Sequence, residues 1–142
     1  MKVLGIGAHP DDIEIFFYGM LSACKARGDD IKLVVATDGA AGTVLDSSKD
    51  LANKRVEETR KGLMALGKPV LLGLPDGKLP EADAADAKIE ALIKEANPDL
   101  VITHAPEDYH PDHRALSQKV TDASGFICPV LFADTLMGTG FM

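Results

Sequence analysis

Two short stretches of the 142-residue chain hold most of its chemical capacity, His9-Pro10-Asp11-Asp12 and His110-Pro111-Asp112-His113. Each opens with His-Pro-Asp, and each sets two metal-ligating side chains three residues apart, His9 with Asp12 and His110 with His113. Proline suits the first position of a helix, and residues three apart on a helix share a face. The spacing therefore predicts two helix starts, each presenting a pair of ligands. A hydrolytic divalent metal needs about three protein ligands and an open position, and two imidazoles with one carboxylate is a common set for zinc. His9, Asp12 and His113 supply that set.

The remaining residues of the two stretches have chemistry of their own. Asp11, turned away from Asp12 around a helix, can act as general base toward an attacking water without binding the metal. His110, at the start of the second helix, can donate to a developing oxyanion, and Asp112 can orient it or hold it protonated. Glu14 reads either as a partner of a ligand or as an acid favoured by a helix N-terminus, and the first reading is preferred. His104 is either a cleft residue or an ordinary loop histidine. Arg55 either points into the cleft to hold a substrate hydroxyl or carboxylate, or pairs with Glu58 along its own helix. Pro75-Asp76-Gly77 is a turn signature first and a substrate contact second.

Behind these residues the chain alternates short apolar runs with longer amphipathic ones. Strands are expected near 2–8, 31–37, 69–74, 99–104 and 129–134, and helices near 11–27, 49–66, 82–96 and 112–123. Such alternation predicts an α/β fold with a largely parallel sheet. Gly28, Gly67 and Asn97-Pro98 punctuate the first three helices. His9, Thr37 with Asp38, Pro75-Asp76-Gly77 and the run from His104 to His113 all follow strands, so they converge on the carboxyl edge where open α/β sheets bind ligands. The long, small-residue loop 38–48 is a further candidate for function. Gly5-Ile6-Gly7 superficially matches a dinucleotide fingerprint, but the third glycine is missing, and the acids that follow would repel a pyrophosphate.

Composition narrows the remaining classes. Apolar residues make up 46% of the chain and charged ones 26%, which suits one globular domain over 1–142. A net charge of -7 argues against nucleic acid or an anionic membrane surface as partner. The basic residues Lys49, Lys54, Arg55, Arg60 and Lys61 interleave with Glu57 and Glu58, as on a solvated helix face. No apolar run is long enough to span a membrane, and the first residues read as a core strand rather than a signal peptide. Cys24 and Cys128 show no metal-binding or disulfide spacing, which points to a reducing, cytoplasmic setting.

At Ala8-His9-Pro10-Asp11-Asp12-Ile13-Glu14 and at His110-Pro111-Asp112-His113 the chain resembles the LmbE-like, or PIG-L, family of zinc-dependent N-acetylglucosaminyl deacetylases. The likeness extends to Thr37-Asp38-Gly39, Arg55 with Glu58, Leu66-Gly67, Pro75-Asp76-Gly77 and Phe132-Ala133-Asp134-Thr135. It implies a Rossmann-like three-layer sandwich. It also implies Zn2+ on His9, Asp12 and His113, Asp11 as general base, and His110 as acid or oxyanion donor oriented by Asp112. Arg55 would face the substrate, an N-acetylglucosamine-type amino sugar or its conjugate, from which an acetyl group is removed. Asp38, Asp76 and the 104–110 segment are expected to join it in sugar contacts. Members of the family usually continue past the point where this chain stops. A missing C-terminal extension is therefore expected, with a cleft left open or completed by a neighbouring subunit of a homo-oligomer. Two rivals stand beside this reading. One is a zinc-binding subunit without catalysis. The other is a non-haem Fe(II) oxygenase, which uses the same two-histidine, one-carboxylate set but usually on a β-barrel.

Overall fold

Five runs rich in branched apolar residues form the strands β1 (Lys2–Gly7), β2 (Asp30–Thr37), β3 (Val70–Leu74), β4 (Leu100–His104) and β5 (Val130–Ala133). The computed structural model describes residues 1–40 and 48–134. The strands lie in the order β3-β2-β1-β4-β5, and every neighbouring pair is parallel. A π-type turn (Ile13–Phe17) runs into α1 (Tyr18–Ala26), and α2 (Ser48–Gly62), α3 (Asp83–Ala96) and α4 (Pro111–Ser124) follow, with a short 3-10 turn at Leu79–Glu81. Among the described residues no helix is long and apolar enough to cross a membrane.

Successive side chains on a strand point to opposite faces of the sheet, and both faces here are apolar. Val3, Leu33, Val35 and Ile102 pack against Ile13, Phe17, Leu21 and Leu63 on one side. Leu4, Ile6, Val34 and Val101 pack against Ile89, Ile93, Leu116 and Val120 on the other. The result is the expected three-layer sandwich. Burying each such side chain contributes roughly 1.5–3 kcal/mol, so β1, covered on both faces, anchors the structure.

The chain adds β2 and β3 on one side of β1, then returns to lay β4 on the other. At that reversal the connections leave the sheet in opposite directions and open a crevice between the carboxyl ends of β1 and β4. A hydrogen bond closes its floor, from the Ala8 backbone N–H to His104 Nε2 at 3.0 Å.

The two His-Pro-Asp stretches enter this crevice differently, and the first departs from expectation. α4 starts as predicted, with Pro111 in its first turn and His110 as N-cap, its ring accepting from the Asp112 N–H. The first stretch puts a turn ahead of its helix, which opens at Asp12 rather than at Pro10. His9, Pro10 and Asp11 form a tight turn closed by Asp12 N–H to His9 O at 3.2 Å, and Asp11 takes the left-handed φ of 88°. Helical structure begins at Asp12, whose φ of -60° and ψ of -42° are helical, and the Ile15 N–H already donates to Asp11 O at 3.0 Å. α2 likewise stops at Gly62, short of the expected 66, and a turn carries the chain to Gly67.

Candidate metal centre

Gly7 lets the first turn fold back on its strand. A Cβ there would lie 3.1 Å from Ile13 Cγ1 and 3.2 Å from Asp12 Cβ, closer than side chains ordinarily pack, so a larger residue would push Ile13 and Asp12 away from the strand end. The turn is held by the His9 N–H, which donates to Asp12 Oδ2 at 2.7 Å. With α4 alongside, three ligand atoms meet. His9 Nδ1 lies 3.1 Å from Asp12 Oδ2 and 3.2 Å from His113 Nε2, and His113 Nε2 lies 3.1 Å from Asp12 Oδ2. A tetrahedral zinc with bonds of roughly 2.0–2.1 Å separates its ligand atoms by about 3.3 Å. Donor types and spacing both fit one small divalent ion, and all three residues are buried.

Carboxylates surround His9. Its Nε2 donates to Asp112 Oδ2 at 2.8 Å and faces Asp76 Oδ1 at 3.0 Å. Burial lowers the pKa of His9, but the hydrogen bonds to Asp12 and Asp76, the charge of Asp12 and the bond to Asp112 outweigh it and raise the value to about 10. Burial opposes ionisation of Asp12, yet the imidazoles of His104, His113 and His9 hold its carboxyl far below the ordinary range. The carboxylates that keep a proton on His9 would equally favour a cation in its place.

Asp112 takes a different partner from the one expected. Its carboxylate accepts from the amides of Gly77 at 2.7 Å and Leu79 at 3.1 Å as well as from His9. It reaches His110 only through its own backbone N–H, which donates to His110 Nδ1 at 3.1 Å. That bond leaves the His110 proton on Nε2. Burial first, then the charges of His9 and His113, hold the His110 pKa below the usual histidine value. The ring is therefore a neutral Nε2–H donor.

Asp11 and Arg55 form the open side. The left-handed φ of Asp11 swings its carboxylate clear of the ligand triangle, and the side chain is 43% exposed. Arg55 Nη2 stands 3.5 Å from Asp11 Oδ2 and donates to Pro10 O at 3.3 Å, so Arg55 points toward the cleft. Gly39, itself at φ 67°, makes room: a Cβ there would sit 2.9 Å from Arg55 Nε. His9, Asp11, Arg55, Asp76, Tyr109 and His110 line a cleft of about 370 Å³.

Three further side chains lie around the site. Asp76 lines the cleft but spends Oδ1 on His9. Asp38 accepts the Ala40 N–H at 3.0 Å and does not line the cleft. Glu14 accepts from the Thr59 hydroxyl and ties the π-type turn to α2 rather than touching a ligand. Residues 41–47 of the loop expected to contact sugar, and Thr135, lie outside the described residues.

Asp108, which no motif marks, also belongs to the site. It is 1% exposed, with Oδ2 3.0 Å from His113 Nδ1 and Oδ1 accepting the His110 N–H at 3.0 Å. Asp followed two residues later by a bonded N–H is an Asx turn, and Asp108-Tyr109-His110 was the available signal. His104 resolves as a floor residue: its ring stacks on His113 at 3.8 Å and 6°, and burial holds its pKa down.

This sheet edge and donor set define an α/β protein with a group of side chains able to hold a metal ion. The chain matches the family model "PIG-L: GlcNAc-PI de-N-acetylase" over residues 4–124, and it belongs to that family. It is 33% identical over 141 residues to the 1D-myo-inositol 2-acetamido-2-deoxy-alpha-D-glucopyranoside deacetylase of Corynebacterium diphtheriae, a match covering 79% of this chain and 48% of the relative. It is 33% identical over 120 residues to the diacetylchitobiose deacetylase of Thermococcus kodakarensis, covering 80% of this chain and 45% of the relative. The N,N'-diacetylchitobiose deacetylase from Pyrococcus horikoshii, solved with its inhibitor MPG, superposes with a TM-score of 0.79 at 30% identity, over 88% of this chain and 49% of that one. The chain thus spans about half the length of the curated relatives it matches.

Proposed function

We propose that the protein is a metal-dependent hydrolase that removes the acetyl group from an N-acetylglucosamine-type amino sugar or its conjugate. One observation carries the reading: a triangle of ligand atoms, a half-exposed carboxylate and a neutral imidazole donor meet at one cleft. We take zinc as the ion, on the two imidazoles and one carboxylate of His9, Asp12 and His113. When bound, such an ion polarises the amide carbonyl and lowers the pKa of water.

Asp11 accepts the proton of the attacking water at its carboxylate, and returns it to the departing nitrogen so that the amine leaves neutral. His110 donates its Nε2–H to the oxygen on which charge develops, a contribution of roughly 10²–10³ in rate for one such donor. Asp112 acts at one remove, orienting the His9 ring and setting the His110 tautomer through its backbone. Arg55 neutralises Asp11 between turnovers and offers its guanidinium to a sugar hydroxyl. The names of the relatives support hydrolysis of an N-acetyl group, and the parallel α/β scaffold weighs against the oxygenase. A cytoplasmic setting agrees with the free thiols of Cys24 and Cys128. A homo-oligomer belongs to the same reading, since Leu131 and Phe132 of the edge strand β5 are exposed, and light scattering tests it.

The deciding experiment is an acetate-release screen with the metal-loaded chain over N-acetylglucosamine, its short oligomers and its conjugates. Release from at least one, abolished by Asp11→Asn, is the expected result. Stoichiometric metal with no acetate from any of them would favour the non-catalytic subunit instead.

A further inference from the structure

We infer that Asp108 is a positioning residue that fixes which nitrogen of His113 faces the metal, while its second oxygen holds the backbone that carries His110. The inference rests on the reading of His113 as a ligand. A carboxylate that is 1% exposed must be matched by donors on every side, and the donors around Asp108 lead to the site. Oδ1 accepts the His110 N–H at 3.0 Å. Oδ2 lies 3.0 Å from His113 Nδ1, close enough to bond although the pair is not aligned as a hydrogen bond. The main-chain carbonyl of Asp108 accepts from Arg114 Nη1 at 2.7 Å, which ties the loop to α4.

The two nitrogens of an imidazole diverge, so what one binds decides what the other can do. With the Asp108 carboxylate at Nδ1, the proton of neutral His113 belongs on Nδ1. The lone pair is then left on Nε2, the atom that stands 3.1 Å from Asp12 Oδ2 and 3.2 Å from His9 Nδ1. His104 reinforces the arrangement. Its Nε2 accepts the Ala8 N–H, so its own proton sits on Nδ1, 3.9 Å from the same Asp108 Oδ2. The stacked His104 ring also keeps His113 from tipping out of plane. His9 has Asp112 and Asp76 for the same task, so each imidazole ligand is backed by carboxylate.

Asp108→Asn separates the two duties. The asparagine oxygen can still accept from the His110 N–H, but its NH₂ then faces His113 Nδ1. That favours the tautomer with Nδ1 bare and the proton on Nε2, where it obstructs a metal. Loss of such an outer partner typically costs 10–100-fold in metal affinity, so a rise of about 10–100-fold in the zinc dissociation constant is expected. Zinc affinity is measured by competition with a chelating indicator for the parent chain, Asp108→Asn and His113→Ala. Long-range ¹H–¹⁵N spectra of the zinc-loaded parent are recorded alongside to locate the proton on the His113 ring.

The expected results are a weakened but folded Asp108→Asn, a still weaker His113→Ala, and an Nδ1-bound proton on His113. A folded Asp108→Asn within twofold of the parent, beside a His113→Ala that has lost zinc, overturns the role of Asp108 and leaves the ligand set standing. An unchanged His113→Ala overturns both. Should Asp108→Asn fail to fold, the spectra of the parent decide: a bare His113 Nδ1 refutes the assignment, and a protonated one upholds it.

Discussion

The two His-Pro-Asp stretches share a tripeptide and almost nothing of its geometry. In the first, the aspartate has φ 88° and a side chain 43% exposed to the cleft. In the second, it lies within α4 with a side chain only 1% exposed, its carboxylate bound by His9 and two amides. The cause is the room each segment has. β1 ends at Gly7, two residues before His9, so the chain must reverse at once. β4 ends at His104, six residues before His110, and the intervening loop can turn and cap a helix. One motif thus yields an outward carboxylate free for proton transfer and an inward one committed to support. A repeated sequence is not a repeated structure.

That contrast can be broken experimentally, beginning with the largest effect. His113→Ala removes a corner of the ligand triangle, and zinc affinity by chelator competition should fall by more than the roughly 10–100-fold that loss of an outer partner costs. An affinity unchanged by the substitution would take His113 off the ligand list. Next, identical substitutions at the matching aspartates should separate. Asp11→Asn should keep its metal, by elemental analysis, and lose about 10²–10⁴ in kcat, as removal of a general base does. Asp112→Asn should instead weaken zinc binding by about 10–100-fold, because an amide facing His9 no longer orients it. If both variants lost turnover alone, the inward and outward roles would merge. The smallest effect concerns backbone. Asp11→Gly relieves the left-handed strain and should raise the unfolding free energy by up to about 1 kcal/mol while abolishing turnover. Asp112→Gly should lower stability, and denaturant titration of the pair checks the sign.

Alternation of apolar runs was enough to read the five strands, the four helices and the convergence of His9 and His113 on one edge, because periodicity and punctuation are local properties. The partners of the carboxylates were not readable in the same way. Asp112 looked like the partner of His110 because the two are neighbours in sequence. Its carboxylate is claimed by Gly77 and Leu79, which arrive from beyond β3, and no spacing within the motif encodes that. Asp38 has a local partner, the amide of Ala40, that its place after a strand does not announce. The turn at Pro10 was hidden because proline serves a helix start and a turn equally well; Gly7 and the short distance from the strand decided between them.

The ligand triangle also has a meaning for the chain as a polymer. His9 and His113 stand 104 positions apart, one in the turn that follows the central strand and the other on the helix that follows the reversal. An ion gripping both is a reversible cross-link between the early and late portions of the chain. For a covalent bond closing about 100 residues, the chain-entropy picture assigns on the order of 4–5 kcal/mol. The residues that would perform the chemistry are also a clasp, placed where the sheet changes direction and where its two wings would otherwise be joined by strand pairing and packing alone.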